Sequence, residues 1–432
     1  MNEEKPTPQK RRFDYSWVIL GLCFLMVMIS LGFASSTKSL FPDEIARALK
    51  VDRTLVSFNE SIRYIATAIV NLFFGALIAK FGPKKLIIAG FLSLTGAMVL
   101  YSIATTLWML YLAGALLGIG FSWTTTTMVG YVVGIWAAKN KGTIMGAILA
   151  SNGLGGAISI PLVGGRIDPE VIGSYRAAYR LIAAVLFVTM IVLLIFFRDK
   201  PKQAEELSEA EKTEKNEKKK ARGRDWEGIP FNQVVRRPTF WCILVSIFLS
   251  GMILQGVGEV AVMHMKDIGL NYGLIMGMLS FGSLLLATSK FLTGFLYDRF
   301  GLRLTTGFCM TVAVIAACCL AVLKNDSMGY VLAVIYVIIS RFALPLETVM
   351  LPLYASDLFG RKDFAKVLGI FVSANVTGYA LGAPILNLCY DKIGTYAPAL
   401  YVFAALMLGN LIMTQTVVKR AHRAKAAQES KT

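Results

Sequence analysis

Apolar stretches long enough to cross a membrane recur along this chain, at about 16–37, 56–79, 85–104, 107–136, 142–165 and 176–197, and again at about 239–263, 273–297, 304–323, 328–356, 365–388 and 396–418. A helix rises about 1.5 Å per residue, so roughly 20 apolar residues cover the hydrocarbon of a bilayer. The pattern predicts an all-α, polytopic membrane protein with twelve transmembrane helices in two sets of six, the longer ones tilted or running past the hydrocarbon. With 56% hydrophobic residues and a mean hydropathy of +0.61, the chain is not a soluble two-domain protein.

The formal charge of +17 first suggests nucleic acid, but the basic residues are confined to particular loops and the aromatic ones to apolar runs. Roughly 31 of the 44 lysines and arginines fall in the two tails, the central linker and the loops that follow even-numbered spans. Positive-inside topology accounts for this without a nucleic-acid partner and makes both termini cytoplasmic, in a cell membrane, with the lipid bilayer as partner and a monomer expected. The six cysteines (23, 242, 309, 318, 319, 389) lie in apolar runs without a C-x-x-C, and His264 and His422 are the only histidines. Neither a disulfide framework nor a metal site is expected, and no cofactor. The chain starts with a basic tail running into a span too long for a signal peptide.

Five regions follow: a tail at 1–15, a six-helix bundle at 16–197, a charged linker at 198–238, a second bundle at 239–418 and a tail at 419–432. The linker core has almost no large apolar residue, so it reads as a solvated tether between the bundles.

After the eighth span comes Gly294-Phe-Leu-Tyr-Asp298-Arg299-Phe-Gly301-Leu-Arg303. This G-x-x-x-D-R-x-G-x-R pattern resembles the cytoplasmic loop motif of the major facilitator superfamily, whose glycines permit a tight turn and whose charged pairs fasten helix ends in one alternating state. A degenerate copy, Gly75-Ala-Leu-Ile-Ala79-Lys80-Phe-Gly82-Pro-Lys84-Lys85, follows the second span, with Ala79 in place of the Asp. The resemblance implies a transporter whose two halves rock about a central substrate site.

Within that superfamily the chain resembles the monocarboxylate-transporter and bacterial oxalate/formate-antiporter branch. The matching segments are Asp14-Tyr-Ser16-Trp17, Lys139-x6-Gly146-x4-Ser151, Phe231 to Trp241, and Met350 to Gly360. In that branch a cation four residues before the eighth-span glycine is implicated in holding the substrate carboxylate, and Lys290 occupies that spacing. Lys290 also stands alone in an apolar run, where a charge costs about 2.5–3.5 kcal/mol on insertion scales and marks a candidate site. Lys38 is near the register of a first-span lysine in monocarboxylate transporters; it reads equally as the outer end of that span. The branch's partner Asp is Leu286 here, and the eleventh-span cation of oxalate/formate carriers is Asn375, so a dicarboxylate held by two cations is not expected.

Other polar residues lie within apolar runs. Glu60 and Arg63, three apart, suit a helix-face pair. Arg341 and Glu347 flank Pro345, an expected kink, as a structural pair or a gate. Glu259 reads as the better lone acid, and Glu259 and Glu347 are the candidate proton carriers. Trp123 and Tyr131 in the fourth span read as lining a cavity or as packing.

The sequence thus predicts a secondary transporter of a small organic anion, most simply a monocarboxylate, by proton symport or anion exchange. Pro161-Leu-Val-Gly164-Gly165 is similar to an exporter motif without its first Gly, so the alternatives are an exporter of hydrophobic compounds and a transporter-like sensor. No hydrolase or metalloprotease motif is present, so an enzyme is not expected.

Overall fold

The computed structural model describes residues 15–38, 41–51, 53–137, 139–167, 171, 173–199 and 228–429. The N-terminal tail up to residue 14, the linker core and the last three residues lie outside them. Among the described residues every regular element is a helix.

Twelve spans can be followed. Ten stretches are long and apolar enough to cross a membrane. One of them, Leu284–Ala321, holds two spans, because Gly301 breaks the helix with φ 78°. The remaining span is Arg53–Leu72, whose Glu60 and Arg63 lower its hydropathy. Gly82, at φ 76°, makes the same break between the second and third spans. A positive φ is open to glycine at little cost, so both loops keep their turn although the residues before it have diverged.

Elsewhere the helix ends follow ordinary rules. Thr106 caps Leu107–Thr124 by accepting from the Met109 amide at 3.4 Å, and Asp326 caps Ser327–Ala343 by accepting from the Gly329 amide at 2.6 Å. The kink expected at Pro345 is a 3-10 turn, Leu344–Glu347. The last helix, Ala397–Glu429, continues past the expected end at 418, so the described part of the basic tail is helical.

The repeat of six spans is visible in packing. The first span meets the fifth backbone to backbone, a Cβ on Gly32 lying 2.5 Å from Gly155 Cα. The seventh meets the eleventh in the same way, a Cβ on Gly256 lying 2.7 Å from the Gly382 carbonyl carbon. Such small-residue contacts let helices pack tightly where lipid offers no hydrophobic drive.

Two seams join the first six spans to the last six. At one, the fifth span meets the eighth: a Cβ on Gly142 would lie 2.5 Å from the Gly294 oxygen, and one on Gly146 only 2.4 Å from the Lys290 oxygen. At the other, the second span meets the eleventh, with Gly369 against the Asn71 oxygen and the Ser373 hydroxyl donating to the Ala68 oxygen at 2.8 Å. Both seams are tight toward the face that holds Tyr15 and Lys419, the basic face of the molecule. Toward the opposite face the halves diverge around a cavity.

Candidate functional site

That cavity encloses about 610 Å³ and is lined by residues of the first, second, third, fourth, sixth, seventh and eleventh spans. Its volume falls within the roughly 300–1,000 Å³ usual for small-molecule sites. Phe41, Tyr101 and Tyr179 form an aromatic stack on one wall, with ring centroids 4.0 Å apart for Phe41–Tyr179 and 5.0 Å for Tyr101–Tyr179.

Charged groups cross the cavity from the first half to the second. Glu60 accepts from Lys38 at 3.4 Å and from Arg63 at 3.0 and 2.5 Å. The helix-face pair read from the sequence is therefore present, with Lys38 as a third member. Lys38 lies past the helical end of the first span, Ala34, yet lines the cavity. The Arg63 guanidinium lies 4.2 Å from the Tyr64 ring centroid. From the seventh span Gln255 donates to the Tyr64 hydroxyl at 3.3 Å and to Glu259 at 2.8 Å, which links the halves.

Glu259 differs from the expectation of a desolvated lone acid. It is exposed to the cavity and accepts from Gln255. One helical turn places Gln255 on the same face, and the carboxylate opens onto the cavity. Glu347 is the buried acid instead, 6% exposed in the 3-10 turn. Its Oε1 has no hydrogen-bond partner. The Tyr379 hydroxyl and Lys290 lie within its electrostatic reach. No ion pair joins Glu347 to Arg341, whose Nε is also unsatisfied.

Lys290 is 4% exposed. Its ammonium donates to the Leu149 oxygen of the fifth span at 3.4 Å, longer than the usual 2.7–3.2 Å. It therefore sits at the seam between halves, beyond the cavity floor. Tyr379 lines the cavity and neighbours Glu347. A chain of polar groups thus runs from the cavity through Tyr379 and Glu347 toward Lys290.

Three other expected residues lie elsewhere. Asn375, 2% exposed, donates to the Ile247 oxygen at 3.3 Å and stitches the seventh span to the eleventh. Tyr131 lines a separate pocket at the basic face. Trp123 is half-buried against the core, its indole N–H unsatisfied. Gln255, Tyr64 and Tyr379 are site residues the sequence reading missed. Gln255, polar in an apolar run, carried a usable signal; the tyrosines carried none.

The basic face is fastened by the eighth-span motif. Asp298 accepts from the Gly142 amide at 3.0 Å and from the Thr143 amide and hydroxyl, both at 2.7 Å. Asn140, at the natural cap position of that helix, makes no side-chain cap bond, so Asp298 caps it from the other half. Arg303 donates to Gln415 of the twelfth span at 3.2 Å. Arg299 lies 5.6 Å from the Phe300 ring centroid. The Asp–Arg motif thus works here through a helix N-terminus rather than an ion pair.

The family model described as Major Facilitator Superfamily matches residues 22–355 and 265–432. A relative from Bacillus subtilis, the uncharacterized MFS-type transporter YcxA, is 23% identical over 288 residues, 66% of each chain. The multidrug resistance protein MdtG of a Rahnella strain is 27% identical over 199 residues, 45% of each chain. The chain thus spans a little under two thirds of the first relative and less than half of the second. Among solved structures, the E. coli fucose:proton symporter FucP aligns with a TM-score of 0.69 at 14% identity, covering 94% of this chain and 99% of that one. The proton:xylose symporter XylE aligns at 0.73 and 12% identity, covering 94% and 96%. These structures share the fold.

Proposed function

The chain belongs to the major facilitator superfamily, and on that premise we propose that it carries a small organic anion, most simply a monocarboxylate, by alternating access. It is a secondary transporter spanning the membrane many times. The observation that carries the anion reading is Lys290: a cation 4% exposed, at the seam that must part, held by one long bond to a carbonyl. A buried charge is costly unless compensated, and an anionic substrate supplies the compensation.

Glu347 gives the coupling a physical form. Ionised, it offsets Lys290 when no substrate is bound. Protonated, it leaves the lysine's field to the substrate carboxylate. Proton and anion then enter together with no change in buried net charge. The cavity receives the anion at Lys38, and Tyr379 separates that cavity from the inner pair. The lysines and arginines of the basic face support a cytoplasmic assignment for that face and for both termini.

A second reading has an observation of its own. Phe41, Met98, Tyr101, Tyr179 and Met263 give the cavity large apolar surfaces, which suit a lipophilic compound, and MdtG is named a multidrug resistance protein. Uptake of labelled lactate or pyruvate into proteoliposomes, set against transport of a lipophilic cation, separates the two. On the anion reading, carboxylates raise the melting temperature of the wild type and not of Lys290→Ala. Equal responses from both proteins overturn it.

A further inference from the structure

The basic face holds a second pocket, of about 390 Å³, separated from the substrate cavity by the closed seams. It too falls in the roughly 300–1,000 Å³ range of small-molecule sites. One wall comes from the second, fourth and fifth spans, with Ile78, Val133 and Met145; the other comes from the tenth and eleventh, with Leu353 and Phe364. Its interior is mainly apolar, with Tyr131 and Ser356 as its uncharged polar lining. Its charged lining residues are Lys141, Arg361, Lys362, Lys366 and one acid, Asp363. Asp363 is engaged by Lys366 at 2.9 Å. Arg361 and Lys362 are exposed at the mouth.

An apolar chamber with a cationic mouth is complementary to one chemical class, an anion carrying an apolar chain. We infer that this pocket binds an amphiphilic anion, such as a medium-chain carboxylate, arriving from the basic face. The chain enters among Ile78, Val133 and Phe364, and the headgroup stays at Arg361 and Lys362. Burial of the chain supplies affinity, and the cations fix the direction of entry.

The two walls belong to opposite halves, and Gly130 meets Pro352 across them, a Cβ there lying 2.7 Å from the proline ring. Opening the basic face moves these walls apart. A ligand touching both prefers the arrangement described here and shifts the population toward it. The pocket is therefore an inhibitory site, through which an anion on the basic side holds that side shut. The inference uses only the alternation of the two faces and does not depend on Lys290.

Gly134 supplies the test, because a Cβ there meets only the Phe364 ring, at 3.9 Å. Gly134→Leu fills the chamber without displacing backbone. Labelled decanoate is titrated onto the purified full chain in nanodiscs of zwitterionic lipid. The wild type is expected to bind it saturably, Gly134→Leu to weaken binding by more than about tenfold through loss of the apolar contact, and Lys362→Ala by about two- to fivefold, the range of a part-exposed ion pair. Lys38→Ala, at the opposite face, is expected to bind as the wild type does. Repeating the titration in phosphatidylglycerol nanodiscs identifies the source: competition means that lipid chains use the pocket, and undiminished binding means that the free carboxylate does. Absence of saturable binding in zwitterionic lipid, or equal binding by wild type, Gly134→Leu and Lys362→Ala, overturns the inference. If Gly134→Leu does not fold, Arg361→Glu serves in its place, with a larger loss expected than for Lys362→Ala. Loss of binding in Lys38→Ala alone assigns the decanoate to the substrate cavity and also overturns it.

Discussion

Asp298 of the eighth span caps the fifth-span helix at Thr143, accepting from its amide and its hydroxyl, each at 2.7 Å. The bond joins the two halves at the face that is closed. It also places a carboxylate at the positive end of a helix dipole, where it is favourable. The cap exists only while the fifth and eighth spans touch.

Asp298→Ala removes both the acceptor and the charge. It is expected to lose about 0.5–2 kcal/mol, the usual worth of a cap, and to shift the protein toward a basic face that is open. Distances between spin labels on the fifth and eighth spans at that face check this. An unchanged distance distribution contradicts the latch.

Gly294→Ala acts on the same seam by sterics. A Cβ at Gly294 would lie 2.0 Å from the Gly142 oxygen, so the seam cannot close. Transport is expected to fall to background while the protein remains folded, and a cysteine placed near Gly142 is expected to become reactive to a polar maleimide. A fully active variant would show that closure at this point is dispensable.

Glu347→Gln tests proton coupling. On the scheme above it fixes the neutral state of the carboxyl, so counterflow of the anion persists while accumulation driven by a pH gradient disappears. Loss of both activities together would make Glu347 structural. Glu259→Gln, which leaves Glu347 in place, is expected to retain gradient-driven accumulation.

Asp363 gives a pH dependence outside the membrane. The Phe231 amide donates to it at 2.9 Å and, with Lys366, holds its carboxyl below the usual carboxylate range. A lowered value means that the ionised form is favoured by folding, so this contribution is complete above the unfolded value of about 3.9 and is lost as pH falls through the lowered one. The Phe231–Val234 helix is therefore expected to loosen as pH falls below the ordinary carboxylate range. Hydrogen exchange at residues 229–237 measures it, and Asp363→Asn should raise exchange there at neutral pH.

Spans and repeat were legible because each needs only local information: the length of an apolar run, and a glycine spacing that recurs. The burial of Lys290 and Glu347 was legible for a related reason, since a charge in an apolar run is conspicuous on its own. Which helix faces meet is a different kind of fact. Asn375 and Tyr131 occupy suitable spans, but one is turned into the contact between the seventh and eleventh spans and the other toward the basic face. No local pattern distinguishes these orientations. The exposure of Glu259 was hidden for the same reason, because the cavity it faces is formed by seven spans.

The turns at Gly82 and Gly301 are near-copies in backbone, at φ 76° and 78°, but only the second follows a carboxylate. Ala79 leaves the eleventh span without the trans cap that Asp298 gives the fifth. On the proposed alternating access, movement that looks even-handed in outline therefore parts one seam held by a charged cap and another held by a neutral hydroxyl. The corner at Gly75 and Lys366 is expected to yield before the corner at Gly142 and Gly294.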